Sequence, residues 1–119
     1  MPTKVDTPPE FLRQLKRLAR KYPTVTQIVR ELIDELETDS RPGDLIPNVG
    51  YDVYKVRIKN PDSQRGKSGG FRVIYYLKLI DSVILIIIYS KTERNDISPH
   101  EIKEIVDELI MADDSDDEG

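Results

Sequence analysis

A run of seven apolar residues, 83–89, limits more than any other feature what this 119-residue chain can fold into. The run has no polar face, so a strand formed by it needs cover on both sides, as in the centre of a sheet. It is far too short to cross a bilayer. Residues 54–59 alternate strictly between apolar and basic side chains and predict a second strand, and residues 71–78 alternate less cleanly and predict a third. Residues 3–6 are expected to form a short edge strand.

Three amphipathic helices accompany these strands. Their predicted starts share one pattern, a Ser or Thr followed three positions later by Glu or Gln, at Thr7, Thr24 and Ser98, which is the pattern of a capping box. The first helix should end before Pro23, because the proline ring disfavours helical backbone at the preceding residue. The order of elements predicts an α+β domain, in which an N-terminal helical hairpin and a C-terminal helix pack on the apolar face of a small antiparallel β-sheet.

The composition describes one soluble domain with an acidic end. Residues 1–112 carry 18 basic and 17 acidic side chains, whereas residues 113–119 carry five acids and no base, so the whole chain has a net charge of −4. We therefore expect a single domain over 1–112 and a disordered acidic tail over 113–119. The lack of cysteine excludes disulfides and thiol chemistry and suits a reducing, cytoplasmic location. No signal-peptide pattern follows Met1. With one histidine and no dense carboxylate cluster outside the tail, no metal site is expected.

Basic residues collect around the predicted hairpin of the second and third strands. Between positions 55 and 78 there is one acid against seven cations: Lys55, Arg57, Lys59, Arg65, Lys67, Arg72 and Lys78. Lys55, Arg57 and Lys59 should share one strand face at spacings of about 7 Å, and Arg72 joins them only if the hairpin register aligns the two faces. A concentrated positive patch on a chain of negative charge indicates a local site for a polyanion.

A phosphodiester is the natural anion for such a cluster, since arginine offers it a planar fork and lysine a point charge. Preorganised cations can also stabilise the charge that develops on a phosphoryl group in the transition state. A crowded lysine can act as a general base, because neighbouring charge and burial lower its pKa. Tyr76, on the same predicted face, could stack on a base. The alternative is that these cations are only a solvated strand face.

The ordered set of motifs resembles the RelE/ParE toxin superfamily of bacterial toxin–antitoxin systems, on its RelE/HigB-like branch. The motifs are the Tyr-Lys-Val-Arg-Ile strand from Tyr54, the Arg-Gly-Lys-Ser-Gly-Gly-Phe-Arg segment from Arg65, and the Ile-Tyr-Ser-Lys-Thr-Glu-Arg-Asn-Asp-Ile-Ser segment from Ile88. The resemblance covers about residues 3–110. It implies a RelE-like fold of the microbial-ribonuclease type, with a helical hairpin and a C-terminal helix around an antiparallel sheet, in agreement with the predicted elements.

The resemblance further implies an endoribonuclease that cleaves messenger RNA on the ribosome by attack of the ribose 2′-hydroxyl, without metal or cofactor. Its partners would be that RNA and a cognate antitoxin, of the helix-turn-helix, DNA-binding kind. The implied catalytic residues are Lys55 as general base, Arg57 beside it, Arg72 on the scissile phosphate, and Tyr89 and Lys91. The implied RNA-binding residues are Lys59, Arg65, Lys67, Tyr76 and Arg94.

The chain departs from the family pattern at two positions. Thr92 stands where some members have a catalytic arginine, and Ser98 falls near the place of a tyrosine that stacks on a base. The acid that protonates the leaving group is therefore open among Tyr89, Lys91 and His100. Two other functions also stay open: a ParE-like inhibitor of DNA gyrase, and a module on the same fold that binds RNA or protein without catalysis.

Overall fold

The computed structural model describes residues 2–61 and 70–118, with side chains described to residue 113 in the last helix. The elements in these ranges follow one another in the order β1 (Lys4–Asp6), α1 (Pro9–Lys21), α2 (Val25–Glu37), β2 (Asp44–Leu45), β3 (Val53–Ile58), β4 (Phe71–Leu79), β5 (Ser82–Ser90) and α3 (Pro99–Glu118). The predicted α+β class and the order of its helices are thereby confirmed. No helix within the described ranges has both the length and the hydropathy needed to span a membrane.

The sheet is mixed, with the strand order β1-β5-β4-β3-β2. The strand predicted from the apolar run, β5, lies between β1 and β4 and is buried over most of its length. Three of the four strand pairs are antiparallel, as predicted, but β1 runs parallel to β5, with Lys4 opposite Ser82. A parallel pair needs a long crossover connection, and the chain between β1 and β5, which contains the helical hairpin, supplies it.

Helices cover both faces of the sheet, whereas the sequence predicted one apolar face. The α1–α2 hairpin buries Phe11, Leu18 and Leu36 against the face of β4 that carries Phe71 and Tyr75. On the opposite face, called here the α3 face, α3 packs on a second apolar layer. That layer contains Ile74, Ile84, Ile86, Ile102 and Val106. The second layer exists because β4 and β5 carry apolar residues at both alternating positions, so each face has something to bury.

An irregularity in the pairing of β4 with β5 decides which way the end of β5 faces. Ile74 pairs with Ile87, but the next residue, Tyr75, pairs with Leu85, so β5 contains one extra residue at this point. Such a bulge reverses the alternation of side chains beyond it. Leu85 therefore packs in the layer under the helical hairpin, whereas the odd-numbered Tyr89 packs in the α3-face layer with Ile74.

The two ends of the fold differ in detail from the sequence prediction. α1 starts at Pro9 with Pro8 at its N-cap, one residue later than the predicted Thr7 cap, and no side chain caps it. α3 starts as predicted, with the Ser98 Oγ accepting a hydrogen bond of 3.1 Å from the Glu101 N–H. The α3 backbone is helical to Glu118, beyond the start of the predicted tail. The Asp113 carboxylate lies 2.7 Å from Lys78 Nζ, while the separate status of residues 113–119 stays a prediction.

Candidate functional site

Three of the predicted site residues form one row across three neighbouring strands of the α3 face. Arg57 on β3 is the register partner of Arg72 on β4, and Arg72 is in turn the partner of Tyr89 on β5. Lys55 lies two positions along β3 from Arg57 and is the partner of Ile74. The condition that the sequence left open, alignment of the two basic strand faces, is therefore met. The row of Arg57, Arg72 and Tyr89 spans about 10 Å across the three strands. These three residues, together with Lys55 beside them on β3, are called here the row residues.

A close backbone contact at Gly70 accompanies this register. A Cβ built on Gly70 would lie 2.1 Å from the Ile58 carbonyl oxygen, a distance that no side chain can adopt. The Gly70 carbonyl also accepts a hydrogen bond of 2.9 Å from the Lys91 N–H, at the end of β5. The glycine thus lets β3 and β4 approach where the row begins, two residues before Arg72.

Arg72 is buried, with 5% of its surface exposed, although its place on a basic strand face predicts an exposed cation. Its Nη1 donates a hydrogen bond of 3.2 Å to the Phe71 carbonyl. A strand pattern alone does not reveal this burial, because burial depends on what lies over the strand face. In a region of low effective dielectric the guanidinium acts more strongly on nearby charge than it would in water.

The Tyr89 hydroxyl is the group on which the local charges converge. Burial is the main cause that raises the pKa of Tyr89, and the negative charge of Asp96 adds to it. Arg72, Arg94 and Arg57 act in the opposite direction and lower that pKa, but they do not outweigh the other two causes. The phenol therefore stays protonated at neutral pH and can act as a proton donor.

The connection between β5 and α3 brings a carboxylate to the row, which the sequence did not single out. The Asp96 Oδ1 lies 3.3 Å from Lys55 Nζ and also accepts a hydrogen bond of 2.8 Å from the Ile97 N–H. The Ile97 N–H is the main cause that lowers the pKa of Asp96, and Lys55 and Lys91 lower it further. One acid in a polar loop gives no sequence signal of this kind, since its contact with Lys55 spans 41 positions.

The other cations near the row contact nearby oxygens. Lys91 Nζ donates to the Asn95 carbonyl at 2.5 Å, and Arg94 Nε donates to the Asp96 carbonyl at 3.0 Å. Arg94 also contacts Glu101 on α3 at 2.6 Å. These contacts of Lys91 and Arg94 hold the loop between β5 and α3 in place, and their predicted roles in catalysis and RNA binding stay predictions.

Two predicted residues lie apart from the row. Tyr76 is four positions along β4 from Arg72, about 13 Å by strand rise. Its exposed surface is 9%, and its ring packs edge-on against Tyr51 with a centroid distance of 5.6 Å. The predicted stacking of a base on Tyr76 does not fit this position, because the second apolar layer takes up the ring. His100 lies 81% exposed on α3, with Nε2 2.9 Å from Glu104, and does not join the row.

Lys59 follows the end of β3 and is exposed. Arg65 and Lys67 lie outside the described residues, so their predicted contacts with RNA stay predictions. Within residues 2–61 and 70–118 there is no group of three or more His, Cys, Asp or Glu side chains arranged to hold a metal ion.

Comparison with known proteins agrees with the fold and its elements. The model of a protein family described as the RelE toxin of the RelE/RelB toxin–antitoxin system matches residues 12–114. Among solved structures, the free state of an E. coli RelE toxin with two arginine-to-alanine substitutions is similar, with a TM-score of 0.53 and 20% sequence identity. The match covers 80% of this chain and 90% of that one. No curated protein matches by sequence.

Proposed function

Because this chain belongs to the RelE toxin family, we propose that it is a type II toxin that cleaves messenger RNA on the ribosome by transesterification. A toxin of a toxin–antitoxin system has an antitoxin partner, and here the antitoxin would be a DNA-binding protein of the helix-turn-helix kind. The observation that carries the proposed chemistry is the register row, since it brings Arg57, Arg72 and Tyr89 side by side from three strands.

The reaction proposed is attack of a ribose 2′-oxygen on the adjacent phosphorus. The bond from the 2′-oxygen to phosphorus forms, the bond from phosphorus to the 5′-oxygen breaks, and the products are a 2′,3′-cyclic phosphate and a 5′-hydroxyl end. Negative charge grows on the non-bridging oxygens in the transition state, and two guanidinium groups in one row are suited to stabilise it. The burial of Arg72 strengthens its share, because few waters compete with it.

Two protons move in this reaction, and the row offers a group for each. The neutral amine of Lys55 would accept the proton of the 2′-hydroxyl on the attacking side, so its ammonium form must first give up a proton to solvent. Tyr89 would donate a proton to the departing 5′-oxygen, since a phenol is protonated at neutral pH and the raised pKa of Tyr89 keeps it so in more alkaline solution. Lys91, at the end of β5, would add positive charge on the same side.

The remaining cations would bind the RNA backbone. Lys59, Arg65, Lys67 and Arg94 neighbour the row in sequence or space, and cations around a cleavage site attract a polyanion without reading its sequence. Their loss should weaken binding and its dependence on salt, and should leave the chemical step intact.

The test is cleavage of a message on translating ribosomes by wild type, Arg72→Lys and Arg72→Ala. We expect new 5′-hydroxyl ends with wild type, and a rate reduced by about 10²-fold or more with Arg72→Lys, which keeps the charge but loses the planar fork. Folding is checked by circular dichroism, because Arg72 is buried. Cleavage at the wild-type rate by a folded Arg72→Ala protein contradicts the assignment. Inhibition of DNA gyrase without any cleavage would instead favour the ParE-like alternative.

A further inference from the structure

Lys55 and two cations near the row contact oxygens of the protein itself in this structure. Lys55 contacts the Asp96 carboxylate at 3.3 Å, and the carbonyls of Asn95 and Asp96 accept hydrogen bonds from Lys91 and Arg94. The negative charge of Asp96 acts on the same Tyr89 hydroxyl as the guanidinium groups of the row. Thus one short loop presents a carboxylate and two carbonyls to cations that the proposed function uses in catalysis and in RNA binding.

We propose that Asp96 occupies the place of an RNA phosphate in the free protein, as an internal anion that the substrate must displace. A carboxylate resembles a phosphodiester in its single negative charge and in the oxygens that accept hydrogen bonds from Lys and Arg. The inference rests on the proposed function, because it takes the row as the place where the phosphate binds.

The contacts of Asp96 suit displacement better than permanent structure. Its side chain is 65% exposed, and ion pairs open to solvent hold weakly. The distance of 3.3 Å to Lys55 is also longer than that of a strong charge-assisted hydrogen bond. By contrast, the Ile97 N–H lies at 2.8 Å from the same oxygen, and this local bond can persist while Lys55 exchanges one anion for another.

Displacement of Asp96 would also change the cations of its loop. Lys91 and Arg94 bind the carbonyls of Asn95 and Asp96, so a shift of this loop that carries the carboxylate, still bonded to the Ile97 N–H, away from Lys55 would loosen both contacts. A phosphate that replaces Asp96 at Lys55 thereby makes Lys91 and Arg94 available to the flanking RNA. Asp96 is in this sense a residue that sets affinity, whereas the row residues perform the chemistry.

The test is binding of a 2′-O-methyl RNA oligonucleotide, which lacks the attacking hydroxyl, to the free protein at low salt. Asp96→Asn should bind it about five- to tenfold more tightly, because a competing occupant reduces apparent affinity by the fraction of empty sites. Asparagine keeps the oxygen that accepts from the Ile97 N–H, so the loop conformation is retained. The matched control is Glu93→Gln, which removes one negative charge from the same loop at a carboxylate that lies 4.0 Å from Lys21 Nζ. It should change affinity by less than about twofold.

A double-mutant cycle ties the gain to Lys55. In a Lys55→Ala background, Asp96→Asn should no longer raise affinity, because its partner is gone. Binding by Asp96→Asn with no detectable binding by wild type supports the inference. Equal effects of Asp96→Asn and Glu93→Gln, weaker binding by Asp96→Asn, or no binding by either protein overturns it.

Failure here is distinct from failure of the proposed function. The oligonucleotide cannot be cleaved and no ribosome is present, so these affinities do not depend on catalysis. A chain that cleaves messages but shows no gain with Asp96→Asn refutes only the internal anion. A gain in affinity by a chain that never cleaves refutes only the nuclease.

Discussion

Arg57 and Arg72 lie directly opposite each other on β3 and β4. Like charges at directly opposed positions of antiparallel strands destabilise a sheet. Arg57 lies 3.4 Å from Asp44 on the edge strand β2, and Arg72 donates a hydrogen bond to the Phe71 carbonyl. Two guanidinium groups placed side by side on neighbouring strands are suited to a shared anion.

Arg57→Gln is therefore expected to separate stability from activity. Loss of one charge relieves the repulsion with Arg72 and also removes the exposed contact with Asp44, so the free energy of unfolding should rise or stay within about 0.5 kcal/mol. Message cleavage should fall by about 10²-fold. Thermal unfolding and single-turnover cleavage on ribosomes measure the two effects. A loss of stability greater than about 1 kcal/mol would show that Arg57 is a structural cation.

Tyr89→Phe tests the proton donor with little change in packing. The ring stays in its layer while the hydroxyl is lost, and cleavage should fall by about 10²- to 10⁴-fold. A proton donor must carry its proton. Because the pKa of Tyr89 is raised above the ordinary value of 10.0, its hydroxyl stays protonated across the neutral and mildly alkaline range. Wild-type cleavage should accordingly show no loss from this group between pH 7 and 9. An alkaline loss in that range that disappears in Tyr89→Phe would contradict the raised pKa.

Gly70→Ala should disturb the register on which the row depends. The new Cβ would meet the Ile58 carbonyl oxygen at 2.1 Å, and backbone must shift to accept it, at a cost of about 2 kcal/mol or more. We expect a lower unfolding midpoint and loss of cleavage together. Gly50→Ala is the control for stability, because no atom lies within 4 Å of a Cβ at Gly50, although its φ of +90° adds strain. A Gly70→Ala protein with wild-type stability would show that the strands separate easily there.

Asp107→Asn should make the unfolding midpoint less dependent on pH in acid solution. A hydrogen bond from the Tyr51 hydroxyl is the main cause that lowers the pKa of Asp107 below its ordinary value of 3.8, and a hydrogen bond from Lys103 lowers it further. A carboxyl whose pKa is lowered by folding stabilises the native state above its unfolded value and loses that contribution as the pH falls through the folded value. The wild-type midpoint should thus decline more steeply below pH 4 than that of Asp107→Asn. Glu108→Gln, an exposed neighbour on α3, is the control, and a decline equal in all three proteins would refute the linkage.

The sequence predicts the fold class and the shared face of Lys55 and Arg57 well, because both follow from short-range patterns. Period-two alternation assigns Lys55 and Arg57 to one face of β3, and a hairpin connection brings β4 beside it. The apolar run that becomes β5 identifies an interior strand. These features repeat within a few residues and need no knowledge of distant contacts.

The rest depends on contacts between distant segments, which local patterns do not encode. The bulge in β5 lies inside a run with no polar residue, so nothing in the sequence shows that the alternation reverses before Tyr89. The burial of Tyr76 follows from the apolar layer on the α3 face, the burial of Arg72 has no signal in the strand pattern, and the contact of Asp96 with Lys55 follows from the path of a loop. The parallel edge strand likewise depends on a crossover that the strand residues do not specify.

The extra residue in β5 means that the pairing of this strand matters as much as its composition. Exchanges among isoleucine, leucine and valine along the strand would leave every side chain on its present face. If β5 kept all its residues but paired regularly with β4 beyond Leu85, Tyr89 would turn toward the helical hairpin and leave the row. Deletion of the extra residue would instead restore a regular ladder and keep Tyr89 opposite Arg72.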